Sequence, residues 1–206
     1  MAGALIRVGI VDDHPVVGEG TAAILRTQAD LDVVGVAVSL DAARAAGLTD
    51  AAAVDVLLLD IRLGRESGLH VLSSDPALPP VIVLTAYDYP QYAEAALRLG
   101  AAGFVLKTAP LAELLDAIRR VSTGGLAFAV RPGPAGVRLT PREHDVVRLV
   151  ADGRSNDEIG AELGIGAKTV ETHLARLFER VGVASRTELA TRALREGWLD
   201  LPPTGG

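Results

Sequence analysis

Five short apolar runs constrain the first half of the chain more than any other feature: IRVGIV, LDVVGVAV, VDVLLLDI, PVIVLTAY and GFVLK. They are continuous rather than alternating, and rich in Val, Ile and Leu. A strand that is apolar on both sides needs cover on both faces, which a parallel sheet flanked by helices provides. The segments between the runs supply that cover. EGTAAILRTQ, YAEAALRLGA and LAELLDAIRRV are rich in Ala and Leu and have helical period.

Residues 5–122 are therefore expected to form a doubly wound α/β domain, a five-stranded parallel sheet of flavodoxin-like order. Its site should lie beyond the carboxyl ends of the strands. The stretch TGGLAFAVRPGPAGVR, residues 123–138, breaks the pattern. Gly124 and Gly125 stop the preceding helix, and Pro132, Gly133, Pro134 and Gly136 keep another from passing through. We read it as a linker. From 139 to 201 the chain reads as a small all-α domain of four helices. TPRE at 140–143, SNDE at 155–158 and SRTE at 185–188 are three capping boxes, and a further helix over 167–181 starts after Gly166.

Composition excludes several classes. The chain contains no cysteine, which removes a disulfide framework and points to the cytoplasm. No apolar stretch approaches the length of a membrane span, and the amino terminus lacks a signal-peptide pattern.

The ends of the apolar runs carry the chemistry. The first ends in Asp12 and Asp13, the third in Asp60, the fourth in Thr85 and the fifth in Lys107. A parallel sheet gathers all five at one edge. Adjacent carboxylates repel by roughly 4 kcal/mol at an effective dielectric near 20, so something must offset the cost. Mg²⁺, commonly held by one or two carboxylates plus phosphate oxygens, fits. A carboxylate ordered in this way can act as the nucleophile that forms an aspartyl phosphate. Thr85 and Lys107 are suitable donors to the new phosphoryl oxygens. Side chains two positions after Asp60 and after Thr85, namely Arg62 and Tyr87, flank the path of a hydrolytic water. His14 has no metal-ligand partner at recognisable spacing and reads as a loop or packing residue.

On these residues, 5–122 resembles the receiver domain of bacterial two-component response regulators. The resemblance implies Asp60 as phospho-acceptor, Thr85 as switch and Lys107 as the catalytic cation. It also implies a Mg²⁺ site in which Asp13 touches the ion directly and Asp12 through water, while the backbone carbonyl of Arg62 completes the protein ligands. Phe104 falls at the aromatic switch position, although it also reads as an ordinary buried strand residue. Gly64 departs from the family, which often has proline there, and is expected to loosen its loop.

The stretch from LTPRE through SNDEIGAELGI, KTVETH and VGVASRTELA resembles a LuxR-type helix-turn-helix, so that the whole chain is similar to NarL/LuxR-type regulators. In the helix over 167–181, Val170, Leu174, Leu177, Phe178 and Val181 make a core face. DNA contacts are implied at Lys168, Thr169, Glu171, Thr172, His173 and Arg176, with Lys168 and Arg176 as phosphate anchors. His173 reads equally well as a packing residue. Residues 139–206 hold nine Lys and Arg against eleven Asp and Glu, so the basic footprint is only local. Weak binding by one copy implies a homodimer on paired half-sites of double-stranded DNA.

The expected function is transcriptional regulation controlled by Mg²⁺-dependent phosphorylation of Asp60 by a partner sensor histidine kinase, not enzymatic turnover. Two rivals stand beside it. One is a regulator controlled by a protein partner without phosphorylation. The other is an aspartyl-phosphate phosphatase of the haloacid-dehalogenase type, but those usually place the nucleophile after the first strand, with a second Asp two residues on.

Overall fold

The computed structural model describes residues 4–64, 66–75, 77–128 and 137–203. Contacts divide the chain into two compact units, Met1–Pro134 and Ala135–Gly206.

The first unit runs β1 (Ile6–Val11), α1 (Pro15–Leu25), β2 (Leu31–Ala37), α2 (Leu40–Ala45) and β3 (Val56–Leu59). A small hairpin of β4 (Arg62–Leu63) and β5 (Glu66–Ser67) follows, then α3 (Gly68–Ser74), β6 (Val81–Thr85), α4 (Pro90–Arg98), β7 (Gly103–Leu106), α5 (Leu111–Ser122) and β8 (Ala127–Phe128). The main sheet is parallel in the order β2-β1-β3-β6-β7-β8. Its two faces bury alternate residues, as strand geometry requires. Val8, Ile10, Leu58, Ile82, Leu84 and Val105 meet Ala22 and Leu25 of α1 and Leu115 and Ile118 of α5. Leu57, Leu59, Val83 and Phe104 are buried on the opposite face.

The sheet thus has six strands rather than the five expected. The glycines after α5 do stop the helix: Gly124 takes φ +83° and Gly125 N–H donates to the Arg120 carbonyl at 2.9 Å. But the chain then runs beside β7, where Ala127 N–H donates to Ala102 O at 2.8 Å. Gly103 makes room, since a Cβ there would sit 2.9 Å from the Ala127 carbonyl oxygen. The start of the expected linker is therefore an edge strand. Its glycine- and proline-rich part, including Arg131, Pro132, Gly133, Pro134 and Gly136, lies outside the described residues.

The second unit contains α6 (Pro141–Ala151), α7 (Asn156–Leu163), α8 (Ala167–Val181) and α9 (Arg186–Arg195). Capping boxes at Thr140 and Ser155 are both reciprocal. The third is half formed. Ser185 accepts from Glu188 N–H, but the Glu188 carboxylate reaches back to Ala184 N–H at 2.8 Å. Ser185 has φ −148°, against −67° and −70° at the other two caps, and this rotation turns its own N–H away. Val170, Leu174, Leu177 and Val181 of α8 are buried, and Phe178 packs partly buried against the same core. Each buried side chain contributes roughly 1.5–3 kcal/mol. That outweighs the few tenths lost by capping α8 with Gly166, which offers no side chain.

Candidate functional site

Strand ends place the first cluster. Asp12 follows β1, Asp60 follows β3, and both are buried. Lys107 follows β7 and reaches between them, with Nζ 2.7 Å from Asp12 Oδ2 and 2.6 Å from Asp60 Oδ2. The ends of β6 and β7 are tied together by Lys107 N–H donating to Thr85 O at 2.7 Å. Thr85 is fully buried, and its Oγ1 accepts Tyr87 N–H at 3.2 Å, which leaves the hydroxyl proton to donate elsewhere.

Burial pushes the Asp60 carboxyl above the ordinary aspartate value, outweighing the opposite pull of the Lys107 ammonium. A more basic carboxylate is a better nucleophile. Burial pulls Lys107 down, but its bonds to Asp12 and Asp60 together outweigh that and hold it above the ordinary lysine value. Lys107 therefore stays a cation at neutral pH.

The carboxylate oxygens divide by their partners. Asp12 uses both: Oδ2 on Lys107 and Oδ1 on His14 N–H at 3.0 Å. Asp13 Oδ2 accepts Gly64 N–H at 2.9 Å. Among the described residues, Asp60 Oδ1 and Asp13 Oδ1 are buried without a hydrogen-bond donor in good geometry, although His14 Nδ1 stands 2.7 Å from the latter. One ligand atom each from Asp12, Asp13, His14 and Asp60 lies within 4.8 Å of the others. Three carboxylates, two of them with an orphaned oxygen, form a donor set that suits a hard divalent cation.

The loop after Asp60 is held rather than loose. Gly64 takes φ +67° and donates its N–H to Asp13, and proline can do neither. Gly68 is a second requirement the sequence reading missed. Its N–H donates to Ile61 O at 2.7 Å, and a Cβ there would overlap the Asp60 carbonyl oxygen. Arg62 and Tyr87 do more than stand near each other: Arg62 Nη1 donates to the Tyr87 hydroxyl at 2.7 Å, with the guanidinium 4.0 Å from the ring centroid. Phe104 is wholly buried in β7, paired with Val83 and Phe128, away from solvent.

In the second unit, α7 and α8 are joined by a tight turn. Gly164 takes φ +65°, and Gly160 O accepts Ile165 N–H at 2.9 Å. A Cβ on Gly160 would lie 2.6 Å from Ile165 O, so this glycine lets the turn close onto α7. That requirement was hidden in a helical run. Lys168, Thr169, Glu171, Thr172 and Arg176 stand exposed on α8, with His173 half-buried at the edge of the core. Lys168 pairs with Glu171 at 2.9 Å, and Arg180 with Glu143 at 2.8 Å. Among the described residues, Arg176 has no acidic partner. Thr172 Oγ1 donates to the Lys168 carbonyl at 3.0 Å. No helix of the described residues is long and apolar enough to cross a membrane.

A doubly wound sheet with carboxylates and a lysine at its strand ends, followed by a helix-turn-helix, defines a phosphorylation-type signalling module joined to a DNA-reading module. Residues 8–119 match the response regulator receiver domain, and 137–193 the luxR family of bacterial regulatory proteins. The chain belongs to the response regulators that join a receiver domain to a LuxR-type DNA-binding domain. It is 39% identical over 200 residues to the transcriptional regulatory protein UhpA of Salmonella typhimurium, covering 94% of this chain and 100% of UhpA. The probable transcriptional regulatory protein NarL of Mycobacterium tuberculosis is 36% identical over 210 residues, covering 95% and 96%. A solved structure of RcsB from Salmonella enterica serovar Typhimurium, bound to promoter rprA in the presence of phosphomimetic BeF3-, is similar with a TM-score of 0.58. It is 26% identical and covers 91% of this chain and 97% of that one.

Proposed function

We propose that Asp60 accepts a phosphoryl group from a sensor histidine kinase and that this controls binding of the carboxyl-terminal unit to promoter DNA. The observation that carries the reading is the buried Asp60 carboxylate, with Oδ2 held by Lys107 and Oδ1, among the described residues, without a hydrogen-bond donor in good geometry. Oδ1 attacks phosphorus, an O–P bond forms, and the P–N bond to the kinase histidine breaks with its electron pair returning to the imidazole. Lys107 and Thr85 then donate to the phosphoryl oxygens. Asp13, Asp60 and the Arg62 carbonyl would hold a Mg²⁺ ion at this site, with Asp12 assisting through water. When bound, it neutralises charge on the carboxylates and the phosphoryl oxygens.

Redirecting Lys107 and Thr85 toward the phosphoryl group biases a two-state equilibrium at the face that includes Phe104. The readout is homodimerisation on paired half-sites, with Lys168, Thr169, Glu171, Thr172, His173 and Arg176 on the DNA side of α8. The test is intact-mass measurement of the full chain after incubation with acetyl phosphate. One phosphoryl group should appear with Mg²⁺, and none with EDTA or in Asp60→Ala. Equal labelling of Asp60→Ala overturns the reading.

A further inference from the structure

The stretch YDYPQY, residues 87–92, holds every tyrosine of a chain that is only 3% aromatic, and the fold brings all of them into contact. Tyr92 lies on α4 and is wholly buried. Tyr89 meets it edge to face, with ring centroids 5.2 Å apart and planes at 71°. Tyr89 also stacks on Tyr87, with centroids 5.9 Å apart and planes at 20°. Tyr87 carries the Arg62 guanidinium 4.0 Å from its ring centroid, and its hydroxyl accepts Arg62 Nη1 at 2.7 Å. Four side chains thus form one continuous ladder, from a buried anchor on α4 to the loop that follows Asp60.

Tyr89 is the rung whose presence nothing else explains. It stands at the cap position of α4, where Ser, Thr, Asp or Asn would accept a backbone N–H, yet it makes no side-chain cap bond. Among the described residues its hydroxyl has no hydrogen-bond partner, so the ring is what this side chain contributes. Pro90 restricts the Tyr89 backbone, which leaves only the side-chain torsions for packing to set. Tyr87 needs such support. Thr85 Oγ1 holds its backbone N–H at 3.2 Å, but its ring is only half-buried and would otherwise be free to turn, releasing Arg62 with it. A ring pair in stacked or edge-to-face geometry shifts an equilibrium of this kind by about twofold to tenfold.

We infer that Tyr89 is a positioning residue for the lifetime of the aspartyl phosphate: seated on Tyr92, its ring holds Tyr87, and through it Arg62, across the path of the hydrolytic water. The inference rests on the reading of Asp60 as acceptor and of Arg62 and Tyr87 as the screen. In hydrolysis a water oxygen attacks phosphorus in line. The bond from phosphorus to Asp60 Oδ1 breaks, its electron pair returns to the carboxylate, and inorganic phosphate leaves with both of the water's protons. Tyr89 touches none of these atoms. It acts by lowering the fraction of time in which the screen stands open.

The experiment labels the full-length chain with acetyl phosphate and Mg²⁺, removes the donor, and follows loss of the phosphoryl group by intact mass. Tyr89→Ala should lose it about two- to fivefold faster than wild type. Tyr89→Phe, which keeps the ring, should lose it at the wild-type rate. Tyr89→Ala added to the Arg62→Ala, Tyr87→Ala double variant should bring no further acceleration, because the groups it positions are gone. Should Tyr89→Ala not fold, Tyr89→Leu, which keeps apolar bulk without a flat face, carries the same expectations. An unchanged rate in Tyr89→Ala beside a faster double variant overturns the role of Tyr89 and leaves the screen standing. Equal acceleration by Tyr89→Phe, or undiminished acceleration in the triple variant, also overturns it, since Tyr89 then acts through its hydroxyl or by another route. An unchanged double variant removes the screen and this inference together, while a wild-type chain that takes no label overturns the acceptor reading itself.

Discussion

In the amino-terminal unit the charged groups that matter are buried and already bonded to one another; in the carboxyl-terminal unit they stand in solvent. Lys107 is 15% exposed and holds two carboxylates, whereas Lys168 is 85% exposed and holds one that is itself 58% exposed. The first arrangement fixes chemistry before any partner arrives, because desolvation makes each unpaired oxygen expensive. The second fixes only a scaffold. An exposed ion pair is worth about 0–1 kcal/mol and can be exchanged for a phosphate or a base edge at little cost. A buried site therefore declares its ligand through what is left unsatisfied, and a surface site declares only the direction it faces.

What the units share is a glycine at the point where two backbones nearly touch: Gly68 on the Asp60 carbonyl and Gly160 on the Ile165 carbonyl. The largest effects should come from filling these contacts. Gly68→Ala and Gly160→Ala should each cost about 1–3 kcal/mol, the range for overpacking that the backbone must absorb. Each should act on its own unit. Trp198, the sole tryptophan and buried in the carboxyl-terminal core, reports the second unit by fluorescence while circular dichroism follows both. Gly20→Ala in α1 is the control, since a Cβ there meets nothing within 4 Å, and it should raise stability by roughly 0.5–1 kcal/mol. Equal melting of Gly68→Ala and Gly20→Ala would remove the close approach as an explanation.

A smaller effect tests the buried charge. Because the native pKa of Asp60 lies above its unfolded value, the folded state binds the proton more tightly. Stability is then lost as pH rises through the interval between the two values. Asp60→Asn removes that loss while Lys107 keeps Asp12. Without added metal it should melt higher than wild type at pH 7, with the gain fading as pH falls through that interval and gone below the ordinary aspartate value. A variant that melts lower at pH 7 would mean that the Lys107–Asp60 pair outweighs the burial of the charge.

Smaller again is the Arg62–Tyr87 contact, a stacked and hydrogen-bonded pair beside the acceptor. If it screens the in-line water, the Arg62→Ala, Tyr87→Ala double variant should lose its phosphoryl group several-fold faster, under about 1.4 kcal/mol in barrier. Loss of label followed by mass over time decides it, and an unchanged or slower rate removes the screen.

The parallel sheet and the strand-end set Asp12, Asp13, Asp60, Thr85 and Lys107 were legible because period and residue chemistry are local properties of the sequence. The capping boxes at Thr140 and Ser155 were legible for the same reason. What escaped depends on distant backbone. β8 is two paired residues next to a glycine- and proline-rich stretch, and only the missing Cβ of Gly103 reveals the space it fills. Gly68 and Gly160 look like ordinary helical residues until the chain that crosses them is known. Gly64, as a departure from the proline of the family pattern, reads as loosening its loop, yet its positive φ and its bond to Asp13 make it a fixed part of the site. The ring of His14 is the same kind of omission: spacing along the chain shows no partner, whereas the fold turns it toward Asp13.

The smallest expected effect bears on the exposed unit, where the comparison is sharpest. The Glu171 carboxylate accepts from Lys168 Nζ at 2.9 Å. Breaking this exposed i,i+3 pair costs only about 0.2–0.5 kcal/mol, so DNA can separate the two groups. Lys168 and Arg176 would then go to phosphates, each contributing about one unit to the salt slope. Glu171 would accept from the amino group of a cytosine in the major groove. On that reading Glu171→Ala should relax preference at one base pair by about 1 kcal/mol. Affinity for unrelated sequences should stay level or rise, because a negative charge has left the surface and Lys168 has lost its competitor. If Glu171 is only a solvated charge, the same variant should gain affinity for every sequence alike. Selection of both proteins on a randomised site library at one fixed salt concentration separates the cases, and a uniform gain without a change in preference rejects base reading by Glu171.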